Sequence, residues 1–286
     1  MNTIVSYLLD TNAFKICPNN KPFWYTSGKI GPYFINAQFL YGSETDANLF
    51  LDFINSELEN SDKLDIQKNI FEKVKFQYEN NPIYMDVINK MKDYIENNIN
   101  TDEIDFVSGG ERRDWYFSNI LAYLLEKPHI TIFKDLSTVE SSYDFSSSYE
   151  ITDLKSKKVL HVADLLNQAS SYLRAWIPAI ESLGGKICWS MVAVDRMQGG
   201  KQKLEDLDIH SFAMVEIKPD LFNQIHDMGL INDLQLKMLN DFYNNPDDTM
   251  REFLISHPEF IKDSLSSDEK SAKRAKLCID NNLYNL

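Results

Sequence analysis

Three things are scarce in this 286-residue chain: cysteine, glycine together with proline, and positive charge. The three cysteines, Cys17, Cys188 and Cys278, are odd in number and show no CxxC spacing. That argues against a disulfide framework or a cysteine-based zinc site and fits a reducing compartment. Ten glycines and nine prolines, against 43% apolar and 12% aromatic residues, exclude a collagenous or disordered composition. They predict a packed globule with a real core. No run of about 18 apolar residues occurs, so no membrane-spanning helix is expected. Met1–Asn12 carries only a short apolar patch, Ile4 to Leu9, and no basic leader. It is not expected to be a signal peptide, and a cytoplasmic location is expected. Basic residues number 29 against 43 acidic, a formal net charge of -14. A nucleic-acid backbone, which needs a concentrated basic surface, is excluded as the main partner. A small anionic substrate is not excluded, because a few cations focused in a cleft suffice.

Alternation of β-rich and helical segments marks the middle of the chain. Ile104–Val107 reads as a strand that ends in a Ser108-Gly109-Gly110 turn and a helix over 114–125. His129–Phe133, Lys158–Ala163, Lys186–Val194 and Ser211–Ile217 read as further strands. Tyr172–Leu183 reads as a helix closed by the Gly184-Gly185 pair, where left-handed geometry is wanted. This order predicts an α/β fold, a parallel sheet flanked by helices, with the ligand at the carboxyl ends of the strands. The loops that should carry chemistry are therefore 108–113, 134–150, 164–171 and 195–200. Two helical additions are expected, an insertion over 45–100 and an extension over 221–286 broken near Pro246, His257-Pro258 and 264–267. The expected division is 1–103, 104–220 and 221–286. The Ser-rich stretch 137–149 is expected to be a mobile loop.

Four motifs sharpen this reading. Val159-Leu160-His161-Val162-Ala163-Asp164-Leu165-Leu166-Asn167-Gln168-Ala169-Ser170-Ser171 is a hydrophobic strand, an acid and a Ser-bearing loop at a helix start. Main-chain N–H groups of such a loop, with the positive end of the helix, make an anion seat. Val194-Asp195-Arg196-Met197-Gln198-Gly199-Gly200 is an Asp-Arg turn, whose guanidinium suits a carboxylate. Ser108-Gly109-Gly110-Glu111-Arg112-Arg113 joins close-approach glycines to two cations. Phe23 to Asn36 includes Ser27-Gly28-Lys29-Ile30-Gly31-Pro32-Tyr33-Phe34.

Taken together these motifs resemble the type I phosphoribosyltransferases, and the 23–36 and 194–200 segments resemble the orotate branch of that family. The resemblance implies a phosphoribosyltransferase-like sheet with an N-terminal hood, a helical insertion and a helical C-terminal extension. It implies transfer of phosphoribosyl from phosphoribosyl pyrophosphate (PRPP) to orotate or a related carboxylated base, with Mg²⁺ as cofactor and a homodimer as the assembly. Asn167, Gln168, Ala169, Ser170 and Ser171 would seat the 5-phosphate. Asp164 would hold ribose and, through water, the metal. Gly109, Gly110, Arg112, Arg113 and Lys134 would face pyrophosphate, while Arg196, Lys29, Tyr33 and Phe34 would meet the base. Two departures stand out: Ala163 takes the place of one of two family acids, and Asn167, Gln168 and Ala169 replace Thr, Thr and Gly. Should Ala169 adopt positive φ, the missing glycine costs about 1 kcal/mol or more. Residues 135–150 contain no Lys, Arg, His or Gly, so a lid there could exclude water but could not supply positive charge. A second reading from these departures is a weakly active or inactive relative that binds a nucleotide or PRPP for regulation. A third is an enzyme acting on another acceptor base. The five histidines show no HExxH spacing, and no Walker A loop or GxSxG elbow is present. His129 and His161, within strands, are expected in the core.

Overall fold

The computed structural model describes residues 3–18 and 21–285. They gather into two compact units, one made of Met1–Ala13 with Ala37–Ile217, the other of Phe14–Asn36 with Lys218–Leu286. The expected tripartite division therefore changes. The hood segment groups with the C-terminal helices, and the helical insertion groups with the sheet.

The first unit is built on seven strands: β1 (Phe106–Gly110), β2 (His129–Ile132), β3 (Thr138–Ser141), β4 (Ser148–Glu150), β5 (Lys158–Leu166), β6 (Lys186–Asp195) and β7 (His210–Glu216). Their order across the sheet is β7-β6-β5-β1-β2-β3-β4. The first five in that order pair in parallel, whereas β3 and β4 are antiparallel additions on the β2 side. β5 and β6 read as near-continuous apolar runs because both faces are covered, as parallel sheets require. On one face the segment 172–182 packs over Val159, Ala163, Ile187 and Val192. Five helices belong to this unit's N-terminal two-fifths: α1 (Thr3–Asp10), α2 (Glu44–Asn60), α3 (Lys63–Asn80), α4 (Pro82–Asn98) and α5 (Trp115–Leu124). The 45–100 insertion is thus three long helices, each with its own start signal. Ser43 caps Asp46 N–H, Asp62 caps Leu64 N–H, and Asn81 caps Ile83 and Tyr84 N–H ahead of Pro82.

Two sequence expectations are corrected. Ser108, Gly109 and Gly110 lie within β1, and Asp164 to Leu166 lie within β5, because parallel neighbours hold these residues extended up to the strand ends. The Ser-rich stretch is a β-hairpin, with Phe145 fully buried at its turn and stacked on Phe71 of α3 at 4.3 Å. Asp144 ties the turn through the Ser142 and Ser146 hydroxyls. The physical reason is that alternation in Thr138–Ser141 matches the edge of β2, and one aromatic side chain outweighs a polar loop composition.

In the second unit the segment 14–36 forms two short antiparallel pairs, Phe14–Ile16 with Tyr33–Ile35 and Phe23–Trp24 with Ile30–Gly31. Helices Pro219–Asp227, Asp233–Asn244, Pro246–Ser256, Glu259–Leu265 and Glu269–Asp280 accompany them. Three of their four breaks fall where the prolines and Ser-rich step predict, and the first, after Asp227, holds Gly229 at positive φ.

Candidate active site

From β1 the chain crosses to β2 on one side, and from β5 it crosses to β6 and β7 on the other. The sheet therefore switches direction between β1 and β5, the place where a crevice opens at the carboxyl ends of parallel strands. The loop after β5 borders a cavity of about 310 Å³ lined by Leu165 to Tyr172, Trp176 and Gln198. Ala169 sits in it at φ 56°, the left-handed geometry that a glycine would take without strain. Two exposed cations bind the loop's carbonyls: Lys203 Nζ to Gln168 O at 3.3 Å and Arg174 Nε to Ser170 O at 3.2 Å. Since the C=O and the following N–H of a trans peptide point in opposite directions, these bonds turn the N–H groups of Ala169 and Ser171 away from the cations.

Across the crevice, Asp114 ties the two sides together. Its Oδ2 accepts Gly110 N–H at 2.9 Å and its Oδ1 accepts Asp164 N–H at 3.1 Å. Burial raises the Asp114 carboxyl well above the usual carboxylate range, against the pull of those two N–H groups and Arg113. Asp164, half-buried beside it, is raised by burial and by the Asp114 charge, while Arg113 favours its ionised form. Beneath them lies a neutral histidine layer. Burial lowers both His129 and His161 to about 3. His161 Nδ1 meets Ser108 Oγ at 2.9 Å and its Nε2 lies 3.6 Å from Asp114 Oδ2. His129 bonds Ser118 and Thr131, so both histidines are core residues, as expected.

The Asp-Arg turn approaches from β6. Asp195 Oδ1 accepts Met197 N–H at 2.7 Å, and Arg196 N–H donates to Leu166 O at 2.9 Å. Met197 and Gly199 both take positive φ. A side chain on Gly200 would strike the Asn167 carbonyl, so the turn and the phosphate-like loop touch through bare backbone. The Arg196 Nε is buried with no hydrogen-bond partner among the described residues.

The fold recurs in solved structures. Over 85% of this chain and 98% of the other, it superposes on orotate phosphoribosyltransferase of Francisella tularensis with a TM-score of 0.53 at 14% identity. The fold is that of the type I phosphoribosyltransferases. An orotate phosphoribosyltransferase of Aeropyrum pernix matches over 79% of this chain and 99% of its own, with a TM-score of 0.50 and 15% identity. UMP synthase of Leishmania donovani also matches over 85% of this chain and 42% of its own, with a TM-score of 0.53 and 15% identity. In sequence, 90 residues are 28% identical to orotate phosphoribosyltransferase of Sulfolobus acidocaldarius. That stretch is 32% of this chain and 45% of the relative. No protein-family model matches the sequence.

On this phosphoribosyltransferase fold, Gly109, Gly110, Asp164, Asn167 to Ser171 and Arg196 come together around the ends of β1, β5 and β6. Arg113 stands near enough to bias both Asp114 and Asp164. Arg112 instead reaches Asn55 of the helical insertion, and Glu111 accepts Lys134 N–H at 3.0 Å rather than pairing with an arginine. The Lys134 side chain is exposed. Residues 135–150 form the hairpin described above. Lys63 further pins the start of that segment, bonding Asp135 and Ser137 at 2.6 Å.

The remaining predicted residues belong to the second unit. Lys29 Nζ holds both Asp247 oxygens, at 2.7 and 2.8 Å. Tyr33 is buried among Phe14, Phe222 and Phe242, so its ring is core rather than exposed wall, and Phe34 is half-buried against Phe23 and Tyr25. Asp114, Trp176 and Gln198 were missed by sequence reasoning. Asp114 had a usable signal, an acid four residues beyond Gly110 at a helix start. Trp176 had none.

Proposed function

We propose that this protein is a phosphoribosyltransferase that joins PRPP to orotate or a related carboxylated base and releases pyrophosphate. The observation that carries the reading is the switch-point cavity, lined by the Asn167 to Ser171 loop, with Ala169 held in the left-handed geometry that glycine favours. An anion seat of this kind suits a 5-phosphate. The half-buried Arg196 of the Asp-Arg turn supports the choice of a carboxylated base, because a guanidinium fork bonds a carboxylate through two N–H groups.

In this reaction the anomeric carbon becomes positive as the bond to pyrophosphate lengthens, and negative charge grows on the leaving group. Arg113 and the exposed Lys134 would meet that growing charge, with Arg112 joining them on release from Asn55, and Asp164 would orient the ribose hydroxyls. No covalent nucleophile is required. Mg²⁺ would be carried by the diphosphate, with the half-buried Asp164 as its contact through water. When bound, Mg²⁺ neutralises diphosphate charge.

Incubation with PRPP, Mg²⁺ and orotate tests this, following orotate absorbance and pyrophosphate release together. Both signals are expected to change in step. Loss of the reading follows if neither moves, and calorimetric binding of PRPP in that case would assign the protein a ligand-binding role without turnover.

A further inference from the structure

A tryptophan that no motif anticipates occupies a decisive position at the cavity. Pro178 has no N–H to give the carbonyl of Arg174, and the helix after the loop opens over Tyr172–Trp176 into a π turn before resuming as Ile177–Ser182. The extra residue carries Trp176 round to the cavity wall. There its ring is stacked on His161 at 4.3 Å and meets the Tyr172 ring edge-on at 4.6 Å, so its orientation is fixed in advance. Its indole nitrogen lies against Gly110, where a side chain would collide with it and with Asp114 Oδ2. Trp176 is half-buried, and its N–H has no acceptor among the described residues.

We propose that Trp176 is a ligand-contact residue, donating its indole N–H to the sugar-diphosphate part of a ligand that runs from the 167–171 loop to Gly110. The inference rests on the phosphoribosyl reading of the same cavity. Its physical basis is a donor placed between the phosphate seat and the end of β1, on a ring already locked by its neighbours. A preorganised donor loses little freedom on binding and gives its full hydrogen bond to the ligand.

The test compares wild type with Trp176→Phe, which keeps an aromatic ring and removes the N–H. Ribose 5-phosphate, PRPP with Mg²⁺ and inorganic phosphate are titrated by calorimetry, with tryptophan fluorescence in parallel. For ribose 5-phosphate and PRPP, the variant is expected to bind about five-fold more weakly and to lose the ligand-induced fluorescence change. Inorganic phosphate, held by the loop alone, should bind both proteins equally, which also shows that the variant is folded. Undiminished affinity of Trp176→Phe for both sugar phosphates would overturn the assignment. Absence of heat with every ligand in the wild type would overturn the phosphoribosyl reading itself, and this inference with it.

Discussion

At the residue scale, the loop after β5 shows what a single substitution costs. Ala169 is held at φ 56° and buried, so its Cβ bears a penalty that glycine would escape. Ala169→Gly also loosens the unfolded chain, which offsets part of the gain. The expected net effect is a stabilisation of up to about 1 kcal/mol, read from urea midpoints, with phosphate affinity unchanged or improved. Arg196→Ala is expected to raise the orotate KM at least about ten-fold while the PRPP KM stays within about two-fold, since a charge-assisted pair to the base is lost and the phosphate seat is intact. An unchanged orotate KM contradicts its role. The ion pair of Lys29 with Asp247 is solvent-exposed on both partners, and Asp247→Asn should shift stability by no more than about 0.5 kcal/mol.

His129 gives a pH signature at the same scale. Burial lowers it from 6.5 to about 3, so between those values the unfolded chain binds a proton that the folded chain refuses. Its contribution to stability is fully present above pH 6.5 and is lost as pH falls towards 3. Relative to a His129→Gln variant, the wild type should lose up to about 1.4 kcal/mol per pH unit across that window. Asp114 and Asp164, raised by burial, act with the opposite sign, which is why the comparison with the variant, rather than the raw acid profile, isolates the histidine. A wild-type-minus-variant difference that stays flat from pH 7 to 4 would remove the argument.

At the element scale, the hairpin of β3 and β4 replaces an expected moving loop, and Phe145 is what anchors it. Phe145→Ala should cost about 3 kcal/mol and sharply increase amide exchange over 137–150, while β5 and β6 stay protected. Uniform exchange in the wild type over that stretch would show that the hairpin opens as a lid after all. The three inserted helices, by contrast, announce themselves locally. Ser43, Asp62 and Asn81 each stand one residue before the helix, and each acts as its cap.

Across the whole molecule, the grouping of chain segments departs furthest from sequence order. Within the second unit, Trp24 Nε1 bonds Ser264, Tyr284 OH receives Ile30 N–H and Arg274 bonds the Trp24 carbonyl. Segment 14–36 therefore depends on helices more than 200 positions away. Removing residues 218–286 is expected to make 14–36 the first site of limited proteolysis, with the sheet of the first unit still resistant. Equal cleavage rates in full-length and shortened chains would refute that dependence.

The sequence by itself determined the alternation of strand and helix, the caps, the parallel sheet with its site at the carboxyl ends, and the loop and turn that form the cavity. These are local signals, carried by apolar period, by glycine and by capping side chains within a few residues. Only the tertiary structure decided that Asp114 clamps Gly110 to Asp164, that Trp176 joins the cavity, that residues 137–149 lie down as a hairpin and that the hood segment packs with the last helices. Each of those depends on a contact partner distant in the chain or on a geometric detail such as the π turn, and neither is written in residue type or spacing. The loop from Asp164 to Ser171 spans both kinds of knowledge. Its place was legible, while the left-handed Ala169 and the cations that orient its peptides required the fold.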